Sequence, residues 1–291
     1  MTRYRVSHAT RYRYAEAVSQ SYHKLHLVPR ATARQRVERA ELLVRPHPSF
    51  QRSRRDFYGN TVSVLSIQEP HHDLEAVLDA ELAVMAPSLG DPSDTPSWEF
   101  ARELLRSDLS PEGVEAVEFA HASPHVPLLA DAAALAAPCF TPGRPVLEAA
   151  LALNEAIHRG FSYSPLATDV STPVEEVLRS RRGVCQDFAH LMISCLRSVG
   201  LAARYVSGYL ATDPEPGARR LVGADASHAW LALMVPGTGW VDLDPTNDAL
   251  VRDRHLTLAW GRDYGDVSPL RGVIQGGGRQ QLSVAVTVVP A

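Results

Sequence analysis

The sequence predicts an α+β fold, and three observations carry that reading. Residues 4 to 84 alternate strand-forming runs with turn formers, residues 146 to 199 repeat apolar side chains at helical spacing, and residues 203 to 289 return to aromatic and aliphatic runs broken by glycine and proline. With 291 residues and 45% hydrophobic content the chain can bury a sizeable core, enough for one large or two ordinary domains.

The runs Ala40 to Val44 and Thr61 to Ile67 are separated by Pro46 to Pro48 and by Tyr58-Gly59-Asn60, which makes residues 1–85 a small β-rich N-terminal domain. In residues 86–145, prolines at 87, 92, 96, 111, 124, 127, 138 and 142 cut alanine- and leucine-rich pieces into a helical connector, with one helix at Trp98 to Arg106. Residues 146–291 form the third unit, a core of helices followed by strands, with a C-terminal strand. Leu147, Ala150, Leu151, Asn154 and Ile157 mark a helix ending near His158, and Gly160 closes it. A second helix is expected from Thr172-Pro173-Val174-Glu175, with Thr172 as the N-cap, and runs towards Ser180. A third, Val184 to Val199, is apolar at Phe188, Leu191, Met192, Cys195 and Leu196 and stops at Gly200. Strands are expected at Ala203 to Leu210, Ala226 to Val235, Trp240 to Asp244 and Leu282 to Val289.

A formal charge of -4 and a pI near 6.3 give no reason to expect a polyanionic partner, so nucleic acid is not the default ligand. No apolar run approaches the ~20 residues of a membrane span, and Met1 to Ala17 contains no signal-peptide core, so the protein is expected to be soluble and cytoplasmic, without a membrane partner. The three cysteines are too few for a disulfide framework, and neither CxxC nor HExxH is present, so no metal or other cofactor is expected. His71-His72-Asp73 lacks the i, i+4 spacing of a helical zinc site and reads as a solvated loop. Arg179, Arg181 and Arg182 read as a solvated helix end.

Chemistry concentrates on Cys185. It opens the third helix, where unpaired N–H groups and the positive end of the helix dipole favour a thiolate. Cys195 lies on the apolar face of that helix and Cys139 has no base nearby in sequence, so both read as structural. A thiol nucleophile needs a base that later acts as an acid, and His228, in the run Ala226-Ser227-His228-Ala229-Trp230, has the strand context for it. The base needs an acid to fix its tautomer. Asp242 and Asp244 compete for that role, because strand alternation puts both on one face.

Four ordered motifs resemble the bacterial transglutaminase-like superfamily: Gly183-Val184-Cys185-Gln186-Asp187-Phe188-Ala189-His190, then Ala203-Arg204-Tyr205-Val206-Ser207-Gly208-Tyr209, then Ser227-His228-Ala229-Trp230, then Trp240 with Asp244-Pro245-Thr246-Asn247. Leu25 to Arg30, Gln35-Arg36-Val37 and Asp56-Phe57-Tyr58-Gly59-Asn60 resemble the β-rich N-terminal domain of bacterial members. The resemblance implies a papain-like transglutaminase core, a nucleophile helix packed on an antiparallel sheet, with Asp244 as the third member of a Cys185-His228-Asp244 triad. It implies a cysteine-dependent amide-bond hydrolase or acyl transferase acting on a peptide or protein through a thioester, with hydrolysis favoured. The alternatives are a protein-glutamine transglutaminase and a non-catalytic peptide-binding module. Gln186 stands where cross-linking animal transglutaminases carry Trp, and no calcium loop is recognisable, which favours hydrolysis over cross-linking. The oxyanion hole is expected to use the Cys185 N–H and one more donor, with Tyr163 as the candidate and with Gln186 and Trp230 beside it as substrate-binding candidates. Asp187 is expected to pair with a base such as Arg204.

Overall fold

The computed structural model describes residues 1–165, 169–211 and 227–291. Its first element is unusually long. Strand β1 (Thr2–Leu25) slips register between Arg13 and Val18 and so serves two sets of neighbours. Its first half pairs with β5 (His71–Val84) and β14 (Gln280–Pro290), and its second half with β4 (Thr61–Ile67) and β13 (Leu270–Gly276), all antiparallel. Adding β2 (Gln35–Arg45) beside β5 and β3 (Phe50–Arg55) beside β4 gives the order β2-β5-β1-β4-β3, with β13 and β14 on β1. The last strands of the chain therefore belong to the N-terminal sheet, a pairing between sequence-distant segments that local pattern cannot reveal.

The intervening chain carries α1 (Trp98–Ser107), α2 (Pro111–Glu118) and α3 (Ala130–Ala136), each short because a proline or a capping serine punctuates it. Then come α4 (Val146–Gly160), the two-residue strand β6 (Ser162–Tyr163), α5 (Val174–Ser180), β7 (Arg182–Gly183) and α6 (Cys185–Ser198). Thr172 is not the N-cap of α5. Pro173 holds that position, and the Thr172 hydroxyl instead accepts from Asp169 N–H at 3.0 Å, closing the preceding turn. The segment at His71 is not a solvated loop either: it opens β5, and His71 is buried with its Nδ1 at 2.8 Å from the Glu69 carbonyl.

The second sheet runs β11-β10-β9-β8-β12, antiparallel throughout: β8 (Ala203–Leu210), β9 (Ser227–Val235), β10 (Gly239–Asp244), β11 (Ala249–Leu250) and β12 (His255–Gly261). Ala226, expected at the start of β9, lies outside the described residues. Helix α6 lies against β8 and β9, burying Phe188, Leu191, Met192, Cys195 and Leu196 against Ala203, Tyr205, Leu231 and Leu233. A short helix, α7 (Tyr264–Val267), links β12 to β13.

The outer edge of β12 would leave backbone groups unpaired, and two amide side chains of the N-terminal part satisfy them. Gln35 accepts from Thr257 N–H at 2.8 Å and donates to Thr257 O at 2.7 Å, and Asn60 accepts from Trp260 N–H at 3.0 Å and donates to Trp260 O at 2.8 Å. Beside them Arg204 lies between the rings of Trp240 and Trp260, and Arg30 stacks on the far face of Trp260. The two sheets are thus joined by directional contacts that fix the back of the site.

Candidate active site

Cys185 occupies the first position of α6, so its N–H has no partner within the helix. The turn into the helix is fixed by Asp187, which caps its own helix by accepting from Val184 N–H at 2.8 Å. A Cβ on Gly183 would meet the Asp187 side chain at 2.8 Å, so glycine is what lets the cap close. Arg204, expected as a partner of Asp187, is instead clamped by the two tryptophans.

His228 follows the start of β9 and Asp244 ends β10. Nε2 of His228 donates to Asp244 Oδ2 at 2.7 Å, and Cys185 lies close enough to the ring to raise, together with Asp244, the His228 pKa, which leaves Nδ1 for the sulfur. Asp242 is turned elsewhere, ion-paired to Arg34 and accepting from Trp230 Nε1 at 3.1 Å. Asp244 is fully buried and saturated: Oδ1 accepts from the N–H groups of Thr246 (3.0 Å) and Asn247 (3.3 Å), and Oδ2 accepts from His228, from Asn247 Nδ2 (2.6 Å) and from His255 Nε2 (3.0 Å).

Burial opposes the charge on both members of the His228–Asp244 pair, yet the hydrogen bonds win. The bond to Asp244, the nearness of Cys185 and the negative charge of both push His228 up to about 10. The bonds from His228, His255 and Asn247 hold the Asp244 carboxyl well below the usual carboxylate range. Cys195, by contrast, is pushed up to about 12 by burial, and Cys139 is also raised by burial, the opposite of an activated thiol.

The remaining sequence candidates separate. Tyr163 on β6 pairs with Gly183, two residues before the nucleophile, and is half exposed with its ring 6.5 Å from Phe188, so it borders the cleft. Gln186 donates from Nε2 to Val170 O at 3.2 Å, tying the turn before α5 to the helix, so one of its two amide hydrogens is engaged there. Trp230 has no exposed surface to offer a substrate. It is wholly buried, donates to Asp242, and stands edge-on to His255 at 5.1 Å, because its place on β9 points into the sheet-sheet interface. His255 and the Asn247 side chain were not predicted as site residues. Asn247 lay within the Asp-Pro-Thr-Asn motif, whereas His255 has no motif around it. Asn154 of α4 adds a further tie, donating to Asp248 Oδ1 at 3.0 Å and so bracing the turn after Asp244.

Residues 4–83 match the bacterial transglutaminase-like N-terminal region, and residues 133–245 match the transglutaminase-like superfamily. The chain belongs to the transglutaminase-like superfamily. An uncharacterised protein of Mycobacterium tuberculosis is 43% identical over 99% of this chain and 93% of its own length, and one of Mycobacterium leprae is 31% identical over 99% of both. A protein-glutamine gamma-glutamyltransferase of Pseudomonas aeruginosa is 32% identical over 124 residues, 39% of this chain and 19% of that protein. Among solved structures, a candidate cysteine protease from Cytophaga hutchinsonii superposes with a TM-score of 0.78 at 20% identity, covering 99% of this chain and 90% of that one, which shows the shared fold.

Proposed function

We propose that the protein is a cysteine-dependent hydrolase of amide bonds in peptides or proteins, working through a thioester on Cys185. The observation that carries the reading is the chain of contacts from Cys185 through the His228 ring to a buried, ionised Asp244. An imidazolium held this firmly beside sulfur favours negative charge on it. The sulfur attacks the carbonyl carbon, and the oxyanion that forms lies near the Cys185 N–H, which has no partner within α6, and beside Tyr163. His228 then gives its proton to the departing amine as the C–N bond breaks, leaving a thioester and a neutral imidazole. Water enters, His228 takes its proton, hydroxide adds to the thioester carbonyl, and the C–S bond breaks to release the acid and restore the pair. Asp244 stays ionised throughout and keeps Nε2 of His228 protonated, so that Nδ1 is the atom that exchanges protons.

A second reading is favoured by the likeness to the gamma-glutamyltransferase: a primary amine in place of water would resolve the thioester by transamidation. Incubating the protein with a library of peptides and isopeptides, with and without a primary amine, tests both. Release of new carboxyl termini by the wild type and not by Cys185→Ala supports hydrolysis, and amine incorporation supports transfer. Iodoacetamide at mildly acidic pH should label Cys185 and lose that label in Cys185→Ala; labelling that persists at Cys139 or Cys195 with Cys185 unmodified would refute the nucleophile.

A further inference from the structure

We propose that His255 is a positioning residue of this site, one that holds Asp244 ionised and in place while His228 passes its proton back and forth. The inference rests on the triad reading above. His255 opens β12, which is three strands from β10 in the sheet order, so its convergence on Asp244 is not a by-product of neighbouring strands.

Asp244 Oδ2 is the meeting point of three donors: His228 Nε2 at 2.7 Å, Asn247 Nδ2 at 2.6 Å and His255 Nε2 at 3.0 Å. In the cycle described above, His228 is cationic before attack and neutral once the amine has left. During the neutral interval the fully buried carboxylate loses the positive charge beside it, and a buried charge without compensation is costly. The other two donors persist through that interval. Asn247 belongs to the turn that Asp244 itself organises, so it moves with the acid, whereas His255 is anchored independently. Its ring is 93% buried, sits edge-on to Trp230 at 5.1 Å, and Trp230 is in turn fixed by Asp242 and Arg34. Nδ1 of His255 has no hydrogen-bond partner among the described residues, so the carboxylate is what selects its Nε2–H form.

Ligand-capable atoms of His228, Asp244 and His255 lie within 4.8 Å of one another, a spacing that a metal ion could use. The Asn247 side-chain amide argues against that use. It already points at Oδ2, and an amide nitrogen offers a cation no lone pair. The cluster is arranged to surround a negative oxygen with hydrogens.

The test compares His255→Leu with His255→Gln, whose amide can still donate to Oδ2, by the rate of Cys185 alkylation with iodoacetamide from pH 5.5 to 9, alongside the melting temperature. A hydrogen bond to a charged group corresponds to about 10- to 100-fold, so His255→Leu should slow alkylation at pH 6.5 by about that factor and displace the pH profile to higher pH. His255→Gln should recover most of the rate. A His255→Leu protein that alkylates with the wild-type rate and profile, whatever its melting temperature, overturns the role. If the Leu variant does not fold, His255→Ser, too short to reach Oδ2, gives the same reading. Wild-type Cys185 reacting no faster than free cysteine at pH 6.5 would overturn the triad reading itself, an outcome separate from a fast Cys185 that ignores His255.

Discussion

Lowering the pH from 7.0 to 5.5 should destabilise this protein well before any carboxylate titrates, and the cause is a set of buried histidines outside the triad. His8 is held between Tyr209 Oη (2.8 Å) and Thr10 Oγ1 (3.0 Å), His190 accepts from Tyr264 N–H at 3.1 Å, and His23 is buried in β1. Burial lowers all three, His8 and His23 to about 4 and His190 to about 3. A histidine depressed in the folded state contributes stability that is complete above its unfolded value of about 6.5 and is lost as pH falls below it, because the unfolded chain takes up a proton that the folded chain refuses. Between pH 7.0 and 5.5 the loss is about 1.2 kcal/mol per histidine, so about 4 kcal/mol for the three together, a large share of an ordinary folding free energy. His228 offsets only part of this, regaining about 0.8 kcal/mol over the same interval. Its value is raised to about 10, so its contribution is complete below about 6.5 and declines steadily as pH rises from there to 10. Asp244, lowered, contributes above its ordinary value and fades only in stronger acid. The assay is the urea midpoint at pH 7.0 and 5.5 for the wild type, His8→Gln and His190→Gln, where each variant should lose about a third of the pH dependence. A midpoint unchanged across that interval would refute the assignment of these histidines as buried and neutral.

Replacing Asp244 with Asn keeps the shape but removes the charge beside Nε2 and permits the wrong tautomer, so turnover should fall by about 10³- to 10⁴-fold with little change in substrate binding, read as kcat against KM once a substrate is in hand. Arg197 is 98% buried and donates to the carbonyls of Phe119, Ala203, His121 and Arg262, so Arg197→Met, which strands those oxygens, should cost about 3–5 kcal/mol by urea denaturation. Gly208→Ala places a Cβ at 2.2 Å from Leu256 O and 2.4 Å from Trp230 Cη2, a backbone clash that should lower stability by about 3 kcal/mol and, by displacing Trp230, also slow Cys185 alkylation. Wild-type labelling in that variant would separate Trp230 from the site.

What could be read from the sequence was what is local. Cys185 at a helix start, the Asp-Pro-Thr-Asn turn and the strand carrying His228 are each written in a few consecutive residues, and the helices α4 and α6 follow from apolar spacing and a terminal glycine. The rest depends on pairings between distant segments. Nothing near Gln280–Pro290 announces that it will lie on β1, since strand pairing is decided by register and burial over the whole sheet. Gln35 and Asn60 look like ordinary polar residues until β12 arrives with an unpaired edge to satisfy. The choice between Asp242 and Asp244 shows the same limit within the site. Alternation gives both the same face, and what separates them is Arg34, contributed by a segment more than two hundred residues earlier, which takes Asp242 and leaves Asp244 to the histidines. The acid of the candidate relay is therefore selected by the contact between the two sheets, and loosening that contact, for example by Arg34→Ala, would free Asp242 to compete for the histidine that Asp244 now holds.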